Sequence, residues 1–168
     1  MIEPVRPRLF VAVRPPPEVV ERLLLLPRDR QPGLRWSEPS TWHVTLRFLG
    51  PSDADAVVAA LDTVLPGPPA TVVLGPVVEQ LGRAVVVPAR GLDGLATAVR
   101  RVTADLGQAD DQPFSGHLTL GRLRAGAKPG AALGHSIRAE FVADLVELVA
   151  SEPGPSGHRH EVLHTWRL

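Results

Sequence analysis

The order of apolar periodicities along the chain predicts an α+β fold of two lobes, each a small, mainly antiparallel sheet with helices on its outer face. Three observations lead there. Segments read as strand, helix, strand, helix and then as strands, helix, strand, strands, so two similar halves interleave. The word Trp42-His43-Val44-Thr45-Leu46 returns as Gly116-His117-Leu118-Thr119-Leu120, one copy in each half. No linker is long enough to separate independent domains, so residues 1–168 read as a single two-lobed domain.

Residues 8–14 form an apolar run of strand length. Pro15-Pro16-Pro17 stops it and opens a helix, because proline lacks the N–H a ladder needs yet fits the first helical turn. Val19, Val20, Leu23, Leu24 and Leu26 give that helix an apolar stripe. Residues 27–33 carry Pro27, Pro32 and Gly33 and read as a loop, and Leu34-Arg35-Trp36 as a short strand. The first motif strand covers 42–48 and ends at Gly50-Pro51. Ser52-Asp53 caps a helix reaching Leu65, with Val57, Val58, Leu61, Val64 and Leu65 on one side.

After the break at Pro66–Pro69, two β-rich runs, Ala70–Val78 and Arg83–Pro88, flank a turn near Gly82. A helix over 92–106 shows a stripe of Leu95, Val99, Val102 and Leu106. Gln108–Gln112 is a polar loop before the second motif strand, 116–123, and residues 125–135 are again loop. Ile137–Ala150 reads as one long strand, Gly154–Gly157 as a tight loop, and Glu161–Leu168 as the last strand.

Composition narrows the function. Eighteen basic residues balance eighteen acidic ones, so an extended stripe that tracks nucleic acid is excluded while a short RNA end or small nucleotide stays compatible. The absence of cysteine removes disulfides, thiolate nucleophiles and cysteine zinc sites together. The N-terminus lacks a charged region followed by an apolar run, and no stretch nears the roughly 18 apolar residues of a membrane helix. A cytoplasmic monomer without membrane contact is the expectation.

Side chains alternate along a strand, so His43 and Thr45 share one face while Val44 and Leu46 share the other. The same holds for His117 and Thr119 against Leu118 and Leu120. Each copy thus turns an apolar back to a core and a His/Thr front to a ligand. Two imidazoles with ordinary pKa near about 6.5 divide acid and base roles at neutral pH. Two threonine hydroxyls add uncharged donors for the oxygens of a phosphodiester whose transition state is more negative than its ground state. This chemistry requires no metal and no cofactor.

The paired motifs resemble those of the two-histidine (2H) phosphoesterase superfamily, within it the RNA 2′,3′-cyclic phosphodiesterases formerly described as 2′-5′ RNA ligases. The likeness extends to Arg8-Leu9-Phe10-Val11-Ala12-Val13, Leu34-Arg35-Trp36, Arg47-Phe48-Leu49-Gly50, Pro113-Phe114, Arg122, Ser151-Glu152 and Gly154-Pro155-Ser156-Gly157. It implies pseudo-twofold lobes with the motif strands lining a central cleft. It further implies hydrolysis of RNA or nucleoside 2′,3′-cyclic phosphates to 2′-phosphates, with His43 as proton donor and His117 as acceptor. Arg122 and Phe48, each five positions after a motif histidine, would hold the nucleotide by charge and by stacking. Strict alternation turns both away from the His/Thr face, so they reach it only through strand twist or a bulge.

By the same alternation Arg47 lies on the histidine face or at a solvated edge, and Trp36 and Trp42 are packing residues with a lesser claim to stack on a base. His160 and His164 share a strand face but sit about 13 Å apart, too far for one metal ion. His158 and His160 instead suit the cleft rim. Three positions depart from the family pattern, which the resemblance places before the second motif as an arginine and a proline and near the end as a tyrosine. This chain has Ser115-Gly116 and His160 there. The other readings are an RNA-end-binding or 2′-5′ RNA-joining factor, a phosphodiesterase for another small cyclic phosphate, and a catalytically silent binding protein.

Overall fold

The computed structural model describes residues 2–155 and 157–168. Among the described residues ten strands and three short α-helices follow one another as β1 (Arg8–Val13), α1 (Pro17–Leu23), β2 (Leu34–Trp36), β3 (Val44–Pro51), α2 (Ala54–Leu61), β4 (Ala70–Leu74), β5 (Glu79–Leu81), β6 (Ala84–Arg90), α3 (Asp93–Val102), β7 (His117–Leu123), β8 (Ala139–Ala143), β9 (Leu145–Gly154) and β10 (Gly157–Arg167). All strand pairings are antiparallel, and the strands run β10-β9-β1-β3-β7-β6-β4-β8, with β2 added to β7 and β5 to β6. The sheet curls into a half-barrel. No described helix is long and apolar enough to cross a membrane.

The chain joins two groups of four strands at one point. β3 and β7 share the single registered pair Val44–Leu118, while β2 covers the remainder of β7. Val44, Leu46, Leu118 and Leu120 are at most 2 % exposed on the back of this junction. Burying each such side chain contributes about 1.5–3 kcal/mol. The helices pack into that same core through Val19 and Leu23, Val57 and Leu61, and Ala96 and Val99. The front face is thereby left without helical cover by these contacts. There Phe10, Ala12 and Val149 form a small apolar cluster of their own.

Helix ends follow local chemistry. The Asp53 carboxylate accepts from the N–H groups of Asp55 and Ala56, which fixes the start of α2. The helix stops at Leu61, short of the expected Leu65, and α3 likewise ends at Val102 ahead of 106. The Ala70–Val78 run divides at Gly75, whose φ is +116° and whose missing Cβ would lie 2.0 Å from the Ile137 carbonyl oxygen. Only glycine fits that approach.

The expected long strand Ile137–Ala150 is two strands broken at Asp144. β8 pairs with β4 in one strand group and β9 with β1 and β10 in the other, so the chain changes groups there. Asp144 is exposed, and its carbonyl accepts the N–H of Leu168. Aspartate is poorly suited to a strand interior, and a single one in an apolar run marks the crossing. The last strand starts at Gly157 rather than Glu161, and the Gly154–Gly157 loop includes Ser156, outside the described residues.

Candidate active site

Two bulges bring the site residues to one face. Along β3 the pairs Val11–Arg47 and Ala12–Thr45 are consecutive on β1 but skip Leu46 on β3. Along β7 the pairs Val85–Gly121 and Val86–Thr119 skip Leu120. Each extra residue follows its histidine by three positions and reverses the alternation beyond it. Phe48 and Arg122 therefore turn to the His/Thr face, as a bulge would require.

Arg47 turns the other way, which corrects the expectation from simple alternation. It is 2 % exposed and donates to the carbonyls of Phe48 (3.0 Å), Leu106 (3.0 Å) and Gln108 (2.7 Å), with the Asp110 carboxylate 3.6 Å away. This guanidinium ties β3 to the loop after α3 and has no part in the cleft. Arg47→Ala should lower stability by about 2–3 kcal/mol, because those carbonyls lose their donor in a buried place. A chemical-denaturation midpoint unchanged from the parent would contradict the role.

His43, Thr45, His117, Thr119, Phe48 and Arg122 all line one cleft of about 920 Å³. The antiparallel pair Val44–Leu118 sets His43 beside Thr119 and Thr45 beside His117, so the motifs meet head to tail on a shared face. Trp36, His158 and His160 also line the cleft, whereas Trp42 is buried in the core. His164 is turned off the His160 face by a further bulge before it and packs against Trp166 at 4.4 Å. Among the described residues no three His, Asp or Glu side chains gather as a metal site.

Both imidazoles are held by the same device. The Nδ1–H of His43 donates to the Thr41 carbonyl at 2.7 Å, and that of His117 to the Ser115 carbonyl at 2.7 Å. A carbonyl only accepts, so the proton sits on Nδ1 and Nε2 is left to work in the cleft. The departure at Ser115-Gly116 keeps this carbonyl. Gly116 is also the residue that fits, since a Cβ there would lie 2.4 Å from the Ala89 carbonyl oxygen.

The surroundings of the two rings differ. His43 stacks on Phe10 at 4.7 Å and meets the edge of His160 at 5.5 Å. Burial there lowers its pKa to about 4, with His160, Arg14 and Arg122 adding repulsion and the Thr41 hydrogen bond opposing. His160 is lowered as well, first by burial and then by Arg14 and His158. His43 is thus neutral in the empty cleft at pH 7, and its Nε2 accepts the Thr45 hydroxyl at 3.0 Å.

Sequence reasoning did not assign roles to Phe10, Arg8 and Arg35, which also line the cleft. Arg8 lies over the Phe48 ring at 5.6 Å. Their signal was present only as part of the family likeness, because a strand residue's face depends on bulges that the partner strand determines.

Residues 13–77 match the family model described as LigT like Phosphoesterase. TT0787 of Thermus thermophilus superposes with a TM-score of 0.79 at 26% identity, over 96% of this chain and 97% of that one. In its fold and over its first motif the chain is similar to the 2H phosphoesterase superfamily. Two structures of E. coli LigT are similarly close to this chain. The NADP+ complex has TM-score 0.79 and 25% identity over 98% and 99% of the two chains, and the 3′-AMP complex 0.78 and 27% over 96% and 98%. No curated protein matches the chain.

Proposed function

We propose that this 2H phosphoesterase hydrolyses RNA-terminal or nucleoside 2′,3′-cyclic phosphates to 2′-phosphates by metal-independent acid/base catalysis in a cytoplasmic monomer. The observation that carries the reading is the head-to-tail meeting of two His/Thr pairs, each imidazole orienting Nε2 into one cleft. We take residues 1–168 as one domain and the two strand groups as its pseudo-twofold lobes. E. coli LigT, bound to 3′-AMP or NADP+, supports a nucleotide ligand.

In this mechanism water attacks phosphorus, the new P–O bond forms as the P–O3′ bond breaks, and the phosphate stays on O2′. His117 takes the proton of the water. His43 gives its proton to O3′, and Thr45 and Thr119 donate to the non-bridging oxygens. Phe48 stacks on the base, and Arg122 holds a phosphate.

A neutral His43 must be charged before it acts as an acid. Raising a group from pKa about 4 to 7 requires roughly 4 kcal/mol. One phosphate charge at about 4 Å supplies about 4 kcal/mol at an effective dielectric constant near 20. The substrate's own charge therefore suffices. Protonated Nε2 no longer accepts from Thr45, so the threonine proton turns to phosphate while the Nε2–H faces O3′, and donor histidine and donor threonine are switched on together.

Turnover of a panel of 2′,3′-cyclic nucleotides and RNA ends tests the function, and no hydrolysis of any would overturn it. A second expected outcome concerns protonation. Because the ligand-bound pKa of His43 lies above the free value, nucleotide monophosphate binding should take up a proton at pH 5–7 and strengthen as pH falls toward about 4. An NMR titration in which the His43 resonances keep their free midpoint when the nucleotide is bound would contradict the switch.

A further inference from the structure

We propose that Arg14, clamped by Glu147, is a positioning residue for His43: it holds the turn whose Thr41 carbonyl orients the imidazole, an inference that rests on the acid/base reading above. Three hydrogen bonds run in series. Arg14 Nε donates to the Glu147 carboxylate at 2.6 Å, its Nη1 donates to the Ser40 carbonyl at 2.8 Å, and the His43 Nδ1–H donates to the next carbonyl, that of Thr41, at 2.7 Å. Arg14 and His43 thus grip adjacent carbonyls of one 3₁₀ turn, Pro39–Thr41. The turn's own bonds fix its shape, with the Thr41 N–H and hydroxyl both given to the Glu38 carbonyl. Trp42, buried in the core, fixes where the turn ends. Arg14 adds the tie from the turn to β9, and with it a fixed direction for the Ser40–Thr41 peptide.

The residue types fit this task. Glu147 is the one acid in the apolar run Leu145–Ala150, and a part-buried carboxylate needs a partner. The β1 register pairs Ala12 with Glu147 on one side and Val13 with Val44 on the other, so the next step places Arg14 between Glu147 and His43. Charge alone gives no reason for an arginine here, since its charge opposes the protonated form that a donor histidine needs. The carboxylate offsets that charge, and the rigid, planar guanidinium holds two acceptors in one fixed relation, which the flexible lysine stem does not. Neither Arg14 nor Glu147 is among the residues that line the cleft with His43, so the pair acts through the imidazole and not on substrate. Neither stands in the stretches that carry the likeness to the two-histidine family.

NMR of the imidazole nitrogens at neutral pH reads the tautomer without relying on turnover. In the parent, neutral His43 should hold the Nδ1–H form. Arg14→Met and Glu147→Ala should turn it into a mixture with the Nε2–H form, while His117, oriented by the Ser115 carbonyl in the other strand group, keeps its own. On a 2′,3′-cyclic nucleotide kcat should fall about tenfold with KM changed less than about twofold, because a tilted donor loses alignment rather than binding. Glu147→Gln, whose amide oxygen still accepts from Nε, should restore tautomer and kcat. Arg14→Lys, which keeps the charge without the fork, should not. An unchanged His43 tautomer in folded Arg14→Met, a lysine variant equal to the parent, or a Glu147→Gln variant as impaired as Glu147→Ala overturns the positioning role. An equal disturbance of His117 overturns it too, as a general loosening of the fold. If Arg14→Met does not fold, the lysine and glutamine variants decide. The expected tautomer changes without hydrolysis of any cyclic phosphate would instead remove the proposed reaction and leave the positioning standing.

Discussion

His43→Ala and His117→Ala should each reduce kcat on a 2′,3′-cyclic nucleotide by 10²-fold or more while the protein stays folded. General acid or base catalysis by one positioned side chain is worth typically 10²–10⁴-fold, and each ring here has its Nε2 aimed by a fixed carbonyl contact. Their structural cost differs. His43 fills a place against Phe10 and His160, so its loss also leaves a gap, whereas His117 stands at the more open end. Circular dichroism and a melting curve on both variants separate the two effects. Near-normal turnover by either folded variant would show that the pair does not share acid and base work.

Thr45→Val and Thr119→Val refine the same test, since each keeps the side-chain shape and removes the hydroxyl. In the head-to-tail arrangement Thr45 neighbours His117 as well as bonding to His43, so the two pairs act as one unit. Effects of residues that act as a unit are not additive. A double variant should therefore lose less than the product of the single losses.

How much of this could be read before the fold was known depends on the range of the interaction. The His/Thr faces were legible because alternation over three residues is a local property: Val44 and Leu118 are buried and the threonines half-buried, as the pattern requires. The fate of Arg47, Phe48 and Arg122 was not, because it depends on one inserted residue in each ladder. A bulge is a relation between two strands, and Leu46 and Leu120 carry no side-chain signal that separates a bulged leucine from a regular one. The crossing at Asp144 has the same character. A run of apolar residues shows strand, and only the partners, β4 before it and β1 after it, show two. The pairing of Arg35 with Arg122 across β2 and β7 is hidden for the further reason that the two stand far apart in sequence.

The pH profile and the product isomer together give the most demanding expectation. The working form holds one protonated and one neutral imidazole, so kcat/KM should rise and fall through a maximum whose limbs belong to the coupled pair. The buried His43 of the empty cleft titrates near pH 4, so the need for its protonated form should make kcat/KM fall as pH rises above that value. In the complex the phosphate charge raises His43, so the profile of kcat should be displaced toward alkali relative to kcat/KM. The sign follows from the cause: burial disfavours the imidazolium and a neighbouring anion restores it. In the proposed reaction water enters opposite O3′, and the phosphate should then stay on O2′. A rate that climbs steadily into alkali would show that no protonated histidine is needed, and a 3′-phosphate product would show that the leaving oxygen is O2′, with His43 then serving the other side of the ring.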